Sequence, residues 1–133
     1  MKLSHVFTLS AVYMAVIGLI TLVAPNLLTF GAVEASASAD VLFALRIPAS
    51  MALGIAVLNW MTRTAEASVA RTAVVTANLV GFSLASVLGI WGSLTGAPKA
   101  AWGFVIVNII IAIGFVVTGS AKDEAQAPSD PGF

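Results

Sequence analysis

The chain of 133 residues contains no cysteine and a single histidine, His5. Without thiols it cannot form a disulfide, a thiolate metal site, a cysteine nucleophile or a palmitoyl anchor. One histidine cannot hold a haem between two histidines, although a single axial ligand or a metal site shared between subunits stays open. We expect His5 to be an ordinary polar residue that flanks the first apolar segment, as is common beside membrane spans.

Charged residues are also scarce, at 9% of the chain against about a quarter in soluble proteins. Six basic residues balance six acidic ones, so charge gives no basis for binding nucleic acid. No acidic residue falls inside a long apolar segment, whereas ion-coupled transporters normally place ionisable groups along their pathway. The sequence therefore disfavours a proton-coupled exporter. The acidic residues are Glu34, Asp40, Glu66, Asp123, Glu124 and Asp130.

Catalytic signatures are missing as well. No carboxylate pair, no nucleophile with a base and no metal-ligand cluster lies at a common depth of the predicted helices. No motif specifies a cofactor, whether pigment, quinone or lipid. We therefore predict a protein that is not an enzyme.

Apolar residues are abundant: they make up 59% of the chain, and the mean hydropathy is +1.03. They form four long segments, and about 20 such residues span the hydrocarbon core of a bilayer. The first segment is too long for the core of a secretory signal, which runs to about 15 residues. Because two connections are short, we predict an all-α integral membrane four-helix bundle with antiparallel neighbours in residues 1–119. The predicted spans are about 6–24, 41–61, 71–91 and 98–118, and 120–133 is predicted to be a disordered tail.

Two prolines and the longest connection give further expectations about where the helices begin and end. Pro48 should either kink the second helix or mark its first turn, and Pro98 suits the first position of the fourth helix. The connection 26–40 is the longest, and 27–30 within it is predicted to form a short turn.

The basic residues predict the orientation of the bundle. Four of them fall on one side of the predicted hairpins, and only two fall on the other side. By the positive-inside rule both termini lie in the cytoplasm, which predicts a multi-pass protein of the bacterial inner membrane. The first group is Lys2, Arg63, Arg71 and Lys122, and the second is Arg46 and Lys99.

The third helix carries a small residue at every fourth position. Such a series lets helix backbones approach closely, which is how membrane helices commonly pack. The series drifts by about 40° per step, because a helical turn has 3.6 residues. We therefore predict that one end packs inside the bundle and the other meets a second neighbour. The series is Ala73, Ala77, Gly81, Ala85, Gly89 and Ser93.

The first two helices each carry a shorter seam of small residues, at spacings of three and four. This pattern suits a left-handed crossing of membrane helices. The seams are Thr8, Ala11, Ala15 and Gly18 on the first helix, and Ala49, Ala52, Ala56 and Asn59 on the second.

Three polar residues within the predicted spans are candidate site residues. We expect Asn78 and Asn108 to pair between the third and fourth helices and to fix their packing; a path lined by asparagine for water or an anion is the alternative. We expect Arg46, near the start of the second span, to extend to the lipid headgroups. Its alternative role is to anchor an acidic partner residue or a lipid phosphate.

Several local features resemble a known family. The first span ends in Pro25 followed by Leu27 and Leu28, Arg46 precedes 51–54, and Asn78 precedes Gly81 and Phe82. In these features residues 3–118 resemble a bacterial family of small four-helix membrane proteins, distantly like the DoxX group. The resemblance implies a four-helix membrane fold and brings no catalytic residues.

These observations predict a non-catalytic membrane protein. Its expected role is that of a structural or accessory subunit that packs against other membrane subunits, or against copies of itself, through small-residue helix faces. Membrane lipid is the other expected partner. The alternative is a small channel or transporter for a neutral or anionic solute, built on Asn78, Asn108 and Arg46.

Overall fold

A computed structural model of the protein describes residues 2–29 and 33–123, with side chains described up to 119. The described chain is helical, as the sequence predicts. All four α-helices are long and apolar enough to cross a membrane. The helices are α1 (Leu3–Val23), α2 (Ala39–Thr62), α3 (Val69–Thr95) and α4 (Ala101–Asp123), and a short 3₁₀ turn spans Leu27–Thr29.

The observed helix ends decide between the two alternatives for Pro48 and correct two other predictions. Helix α2 begins at Ala39, so Pro48 lies inside it and does not mark its first turn. Pro98 precedes α4, and its carbonyl accepts a hydrogen bond of 2.8 Å from the Ala101 amide at the start of that helix. Helix α4 continues to Asp123, beyond the predicted end near 118. The rest of the predicted tail and Phe30 of the predicted turn lie outside the described residues.

Local sequence explains both ends of α3. The Ser68 side chain caps its first turn by accepting a hydrogen bond of 3.2 Å from the Arg71 amide. A serine in this position pairs one of the amides that the first turn leaves without a helical partner. The helix ends at Gly96, whose φ of 125° is a backbone conformation that suits glycine because it has no Cβ.

The helices form two antiparallel hairpins, α1 with α2 and α3 with α4. The hairpins meet mainly through α1 and α4, whereas the neighbouring helices α2 and α3 approach each other only sparsely. We call the end that holds residue 2 and the 63–68 connection the terminal end. The opposite end, which holds the 24–38 and 96–100 connections, is called the connection end.

Small residues set the spacing within each hairpin. A Cβ added to Gly18 of α1 would lie 2.8 Å from the Leu53 Cγ and 3.1 Å from the Ala49 carbonyl oxygen. A Cβ added to Gly89 of α3 would lie 2.7 Å from a methyl carbon of Val105 on α4. The predicted seams of α1 and α2 therefore do meet, and each hairpin depends on a glycine for its close approach.

Aromatic side chains join the two hairpins towards the terminal end. The rings of Phe7 and Phe115 meet edge to face with centroids 5.2 Å apart, and Phe82 stacks on Phe115 at 6.4 Å. Phe7 and Ile111 are fully buried in the same cluster. Burial of such large apolar groups is the main packing contact between α1 and α4.

Candidate functional site

Most of the small-residue series on α3 lies on the outside of the bundle. Ala73, Ala77, Gly81 and Ala85, which we call the ridge, are all exposed. A Cβ added to Gly81 would meet nothing within 4 Å, whereas Gly89 is packed on Val105. Within the described chain, the ridge is therefore not packed closely against another helix. That a second neighbour covers the ridge stays a prediction.

The surface beside the ridge is apolar. Val80, Leu84 and Leu88 are exposed by 53%, 57% and 61%, so the smooth ridge is flanked by large side chains. A shallow groove of about 1040 Å³ runs along this side of α3 from Ala67 to Gly81. The ridge is thus accessible along several helical turns.

A buried polar cluster ties α1, α2 and α3 together. Asn59 donates through Nδ2 to the Asn78 Oδ1 at 2.9 Å, and Asn78 donates through Nδ2 to the Asn59 Oδ1 at 2.7 Å. Asn59 Nδ2 also donates to the Ser10 hydroxyl at 2.9 Å, and Asn78 Nδ2 to the Val74 carbonyl at 2.8 Å. Both amides therefore have all their N–H groups paired.

This cluster corrects the predicted pairing of Asn78 with Asn108. Asn78 pairs with Asn59 of α2 instead, with the two side-chain amides bonded to each other. Sequence reasoning singled out neither Ser10 nor Asn59 as a polar site. The sequence signal for Asn59 was that this amide side chain occupies the last position of the small-residue seam of α2. In the structure that position is buried.

Asn108 takes part in a second polar pair, with Tyr13 of α1. Its Nδ2 donates to the Tyr13 hydroxyl at 3.1 Å and to the Phe104 carbonyl at 2.7 Å. Asn108 is 8% exposed, and Tyr13 is half-buried between the rings of Phe82 and Phe104. This pair links α1 to α4 in the middle of the bundle and was not predicted from the sequence.

The Tyr13 and Asn108 pair lines a cavity of about 680 Å³ in the half of the bundle nearer the connection end. Its walls come from α1, α2, the start of α4 and the connections, and they are mostly apolar. A smaller space of about 280 Å³ lies between α2 and α3, where these helices separate. Met14 and Asn108 line both spaces, so the two adjoin at the Asn108 amide.

The two arginines at opposite ends of the bundle have different surroundings. Arg46 donates through Nε to the Leu22 carbonyl at 3.0 Å, so its cation lies at the C-terminal end of α1. A cation in this position satisfies a free carbonyl and the negative end of the helix dipole. Arg71 is 8% exposed, and its Nε has no hydrogen-bond partner in the described chain.

The described residues offer no metal centre, since no group of three or more metal-ligating side chains comes together among them. His5 is exposed at the start of α1. Comparison of the chain with protein-family models, curated proteins and solved structures gives no match. The resemblance to the DoxX group therefore stays a prediction.

Proposed function

We propose that this protein is a non-catalytic, multi-pass protein of the bacterial cytoplasmic membrane, with both termini in the cytoplasm, that serves as a subunit of a larger membrane assembly. The proposal places the ridge on α3 against a neighbouring membrane helix. One observation carries it: Ala73, Ala77, Gly81 and Ala85 form a smooth strip that the chain leaves exposed. Glycine at such a position makes a helix less stable than alanine would, and close packing against another helix compensates for this loss.

The internal packing of the chain supports this interpretation. At Gly18 and at Gly89, missing side chains let two helices approach so closely that a Cβ would lie under 3 Å from its neighbour. Gly81 belongs to the same small-residue series as Gly89, but a Cβ added to it would meet nothing within 4 Å in the described chain. In lipid, where helices gain little from apolar burial, such packing is a main source of association energy.

The alternative of a channel or transporter receives less support from the geometry. Asn78 is saturated by Asn59 and the Val74 carbonyl, and Asn108 is paired with Tyr13. Arg46 lies apart from both at the connection end, on the Leu22 carbonyl. Asn78 and Asn108 both line the space between α2 and α3, but Arg46 does not, so the three residues do not line one common path.

A comparison of two glycine substitutions tests the proposal. Gly81→Leu places a bulky side chain on the ridge, and Gly54→Leu places the same side chain on α2, where a Cβ also meets nothing within 4 Å. Each variant is purified in mild detergent from its native membrane and analysed by native mass spectrometry. We expect the wild type and Gly54→Leu to retain a stoichiometric partner, and Gly81→Leu to lose it while its thermal unfolding is unchanged.

The composition of the assembly then identifies the partner. A foreign membrane subunit indicates an accessory role, and a second copy of the chain indicates self-association. A Gly81→Leu variant that keeps the same assembly as the wild type contradicts the proposal. So does a wild-type protein that is monomeric in nanodiscs made from its native lipids.

A further inference from the structure

We infer that the 680 Å³ cavity is a binding site for a neutral lipid with a hydroxyl head group, and that Tyr13 and Asn108 hold the hydroxyl. This inference concerns the interior of one chain and goes beyond the proposed role of the ridge. The cavity has the size of ligand sites in proteins, which run from about 300 to 1,000 Å³. Like them, it combines apolar walls with a few convergent polar groups.

The Tyr13 and Asn108 pair contains one hydrogen-bond donor and one acceptor that have no partner in the described chain. Both N–H groups of the Asn108 amide are used, by the Tyr13 hydroxyl and the Phe104 carbonyl. Within the described chain the Asn108 Oδ1 accepts no hydrogen bond, and the Tyr13 hydroxyl accepts one but has no acceptor for its own proton. The pair therefore presents one free acceptor and one free donor side by side.

These two free groups specify the ligand. A hydroxyl group both donates and accepts, so it can satisfy Asn108 Oδ1 and the Tyr13 O–H together. An ether or ketone only accepts and would leave the Asn108 oxygen unpaired, which is costly in a buried site. No charged side chain lines the described cavity, so an anionic head group would be buried without a counter-charge.

The other polar cluster shows why the site is at Asn108 and not at Asn78. Each N–H of Asn59 and Asn78 already has a partner, and each of their side-chain oxygens accepts from the other amide. That cluster is complete without a ligand. The Tyr13 and Asn108 pair, by contrast, combines unused hydrogen-bonding capacity with an adjoining cavity in the described chain.

The gap between α2 and α3 supplies a lateral route to this site. One wall is formed by Ile55 and Leu58 of α2, and the other includes the ridge residues Ala77, Gly81 and Ala85 of α3. The gap reaches the cavity at Met14 and Asn108. These walls are apolar, so an acyl chain can lie in the gap. If the bundle spans a membrane as proposed, a lipid can enter from the bilayer without crossing water before a neighbouring helix covers the ridge. The head group would then meet the polar pair at the inner end of the gap.

The test compares three probes that share one hydrocarbon chain: oleyl alcohol, oleyl methyl ether and oleate. Binding to the full-length protein in mild detergent is measured by native mass spectrometry across a concentration series. We expect a 1:1 complex with oleyl alcohol, and binding about tenfold weaker for the ether, because one hydrogen bond is lost. Oleate should bind more weakly than the alcohol at pH 9, where its carboxylate is charged.

Two variants connect binding to the pair. Tyr13→Phe removes only the hydroxyl that donates to the probe oxygen, so it is expected to weaken binding of the alcohol and of the ether about tenfold each. Asn108→Leu removes the free acceptor, so it should weaken binding of the alcohol about tenfold and leave binding of the ether little changed. Ser50→Ala, which removes an exposed hydroxyl of α2, should have no effect on either probe. Equal binding of all three probes, or alcohol binding that Tyr13→Phe leaves unchanged, overturns the inference. Because Tyr13→Phe keeps the ring and its packing, it decides the question even if Asn108→Leu fails to fold.

Discussion

Asn59 of α2 and Asn78 of α3 donate a hydrogen bond to each other's side-chain oxygen, at 2.9 and 2.7 Å. The pair bridges two neighbouring helices that otherwise approach each other only sparsely in the described bundle. Both residues are buried, so water cannot replace either bond. The relative position of the two hairpins therefore depends on a polar contact on one side and on aromatic packing between α1 and α4 on the other.

A double-mutant cycle on this pair should show strong coupling. Asn59→Leu and Asn78→Leu each leave the partner amide buried and unpaired, whereas the double variant removes both amides. The loss of unfolding free energy in the double variant should be smaller than the sum of the two single losses, by about 1–2 kcal/mol. Unfolding is followed by circular dichroism in detergent. The control cycle is Asn59→Leu with Asn108→Leu, which should be additive because these residues share no hydrogen bond and line no common cavity. Coupling in the control cycle and not between Asn59 and Asn78 would contradict the observed pairing.

Two glycines of the first hairpin should respond oppositely to alanine. At Gly18 the new Cβ would lie 2.8 Å from Leu53 and 3.1 Å from the Ala49 carbonyl oxygen, so α1 and α2 must move apart. We expect Gly18→Ala to lower the unfolding free energy by about 1–3 kcal/mol. Gly54→Ala meets no atom within 4 Å and should raise it by up to about 1 kcal/mol through better helix propensity. Similar effects at both sites would show that α1 and α2 do not pack through Gly18.

Replacing the buried arginine of α3 should not weaken the fold. Arg71 is 8% exposed and its Nε has no partner in the described chain, so the folded state bears an uncompensated desolvation cost. Arg71→Met, of similar length, should leave the unfolding free energy unchanged or raise it by up to about 3 kcal/mol. A loss above about 1 kcal/mol would mean that the guanidinium has a partner outside the described residues.

Arg63 is the matched control for that substitution. Its guanidinium lies 3.6 Å from the Trp60 ring centroid and donates to the Trp60 carbonyl. Because these contacts are favourable and partly exposed, Arg63→Met should cost about 0.5–1 kcal/mol. Arg63→Met should thus lower the unfolding free energy, whereas Arg71→Met should leave it unchanged or raise it.

The proposed orientation can be tested with single cysteines, since the chain has none of its own. Ser36, Glu66 and Lys99 are exposed in three different connections. In intact cells a membrane-impermeant maleimide should label Ser36→Cys and Lys99→Cys, because both connections lie at the end predicted to face away from the cytoplasm. Glu66→Cys should be labelled only after lysis. The reverse pattern would invert the orientation, and labelling of all three before lysis would argue against a spanning bundle.

The four helices were predictable because each depends mainly on a local property. A run of about 20 apolar residues favours a helix wherever its neighbours lie, since the segment must pair its own backbone groups in an apolar environment. The helix ends were less predictable, because proline is compatible with more than one position. Pro48 lies inside α2, and Pro98 precedes α4. Neither placement follows from the intrinsic restrictions on proline alone.

The sites were predictable only in part. Asn78 and Asn108 are conspicuous in apolar segments, but their partners, Asn59 and Tyr13, come from helices whose adjacency the sequence does not specify. The α3 series was equally visible, yet its spacing does not state which of its residues will meet another helix. In the structure Gly89 contacts α4 while Gly81 stays open.

The sequence by itself determined that this chain forms four apolar helices, that it lacks thiol chemistry, and that α3 carries a smooth face. Those properties follow from residue composition and from the 3.6-residue turn, both of which are local. Only the tertiary structure decided that Asn59 meets Asn78, that Tyr13 meets Asn108 beside a cavity, and that the ridge faces outwards. These depend on which helices become neighbours and on how each is rotated, and packing of the whole bundle sets both at once.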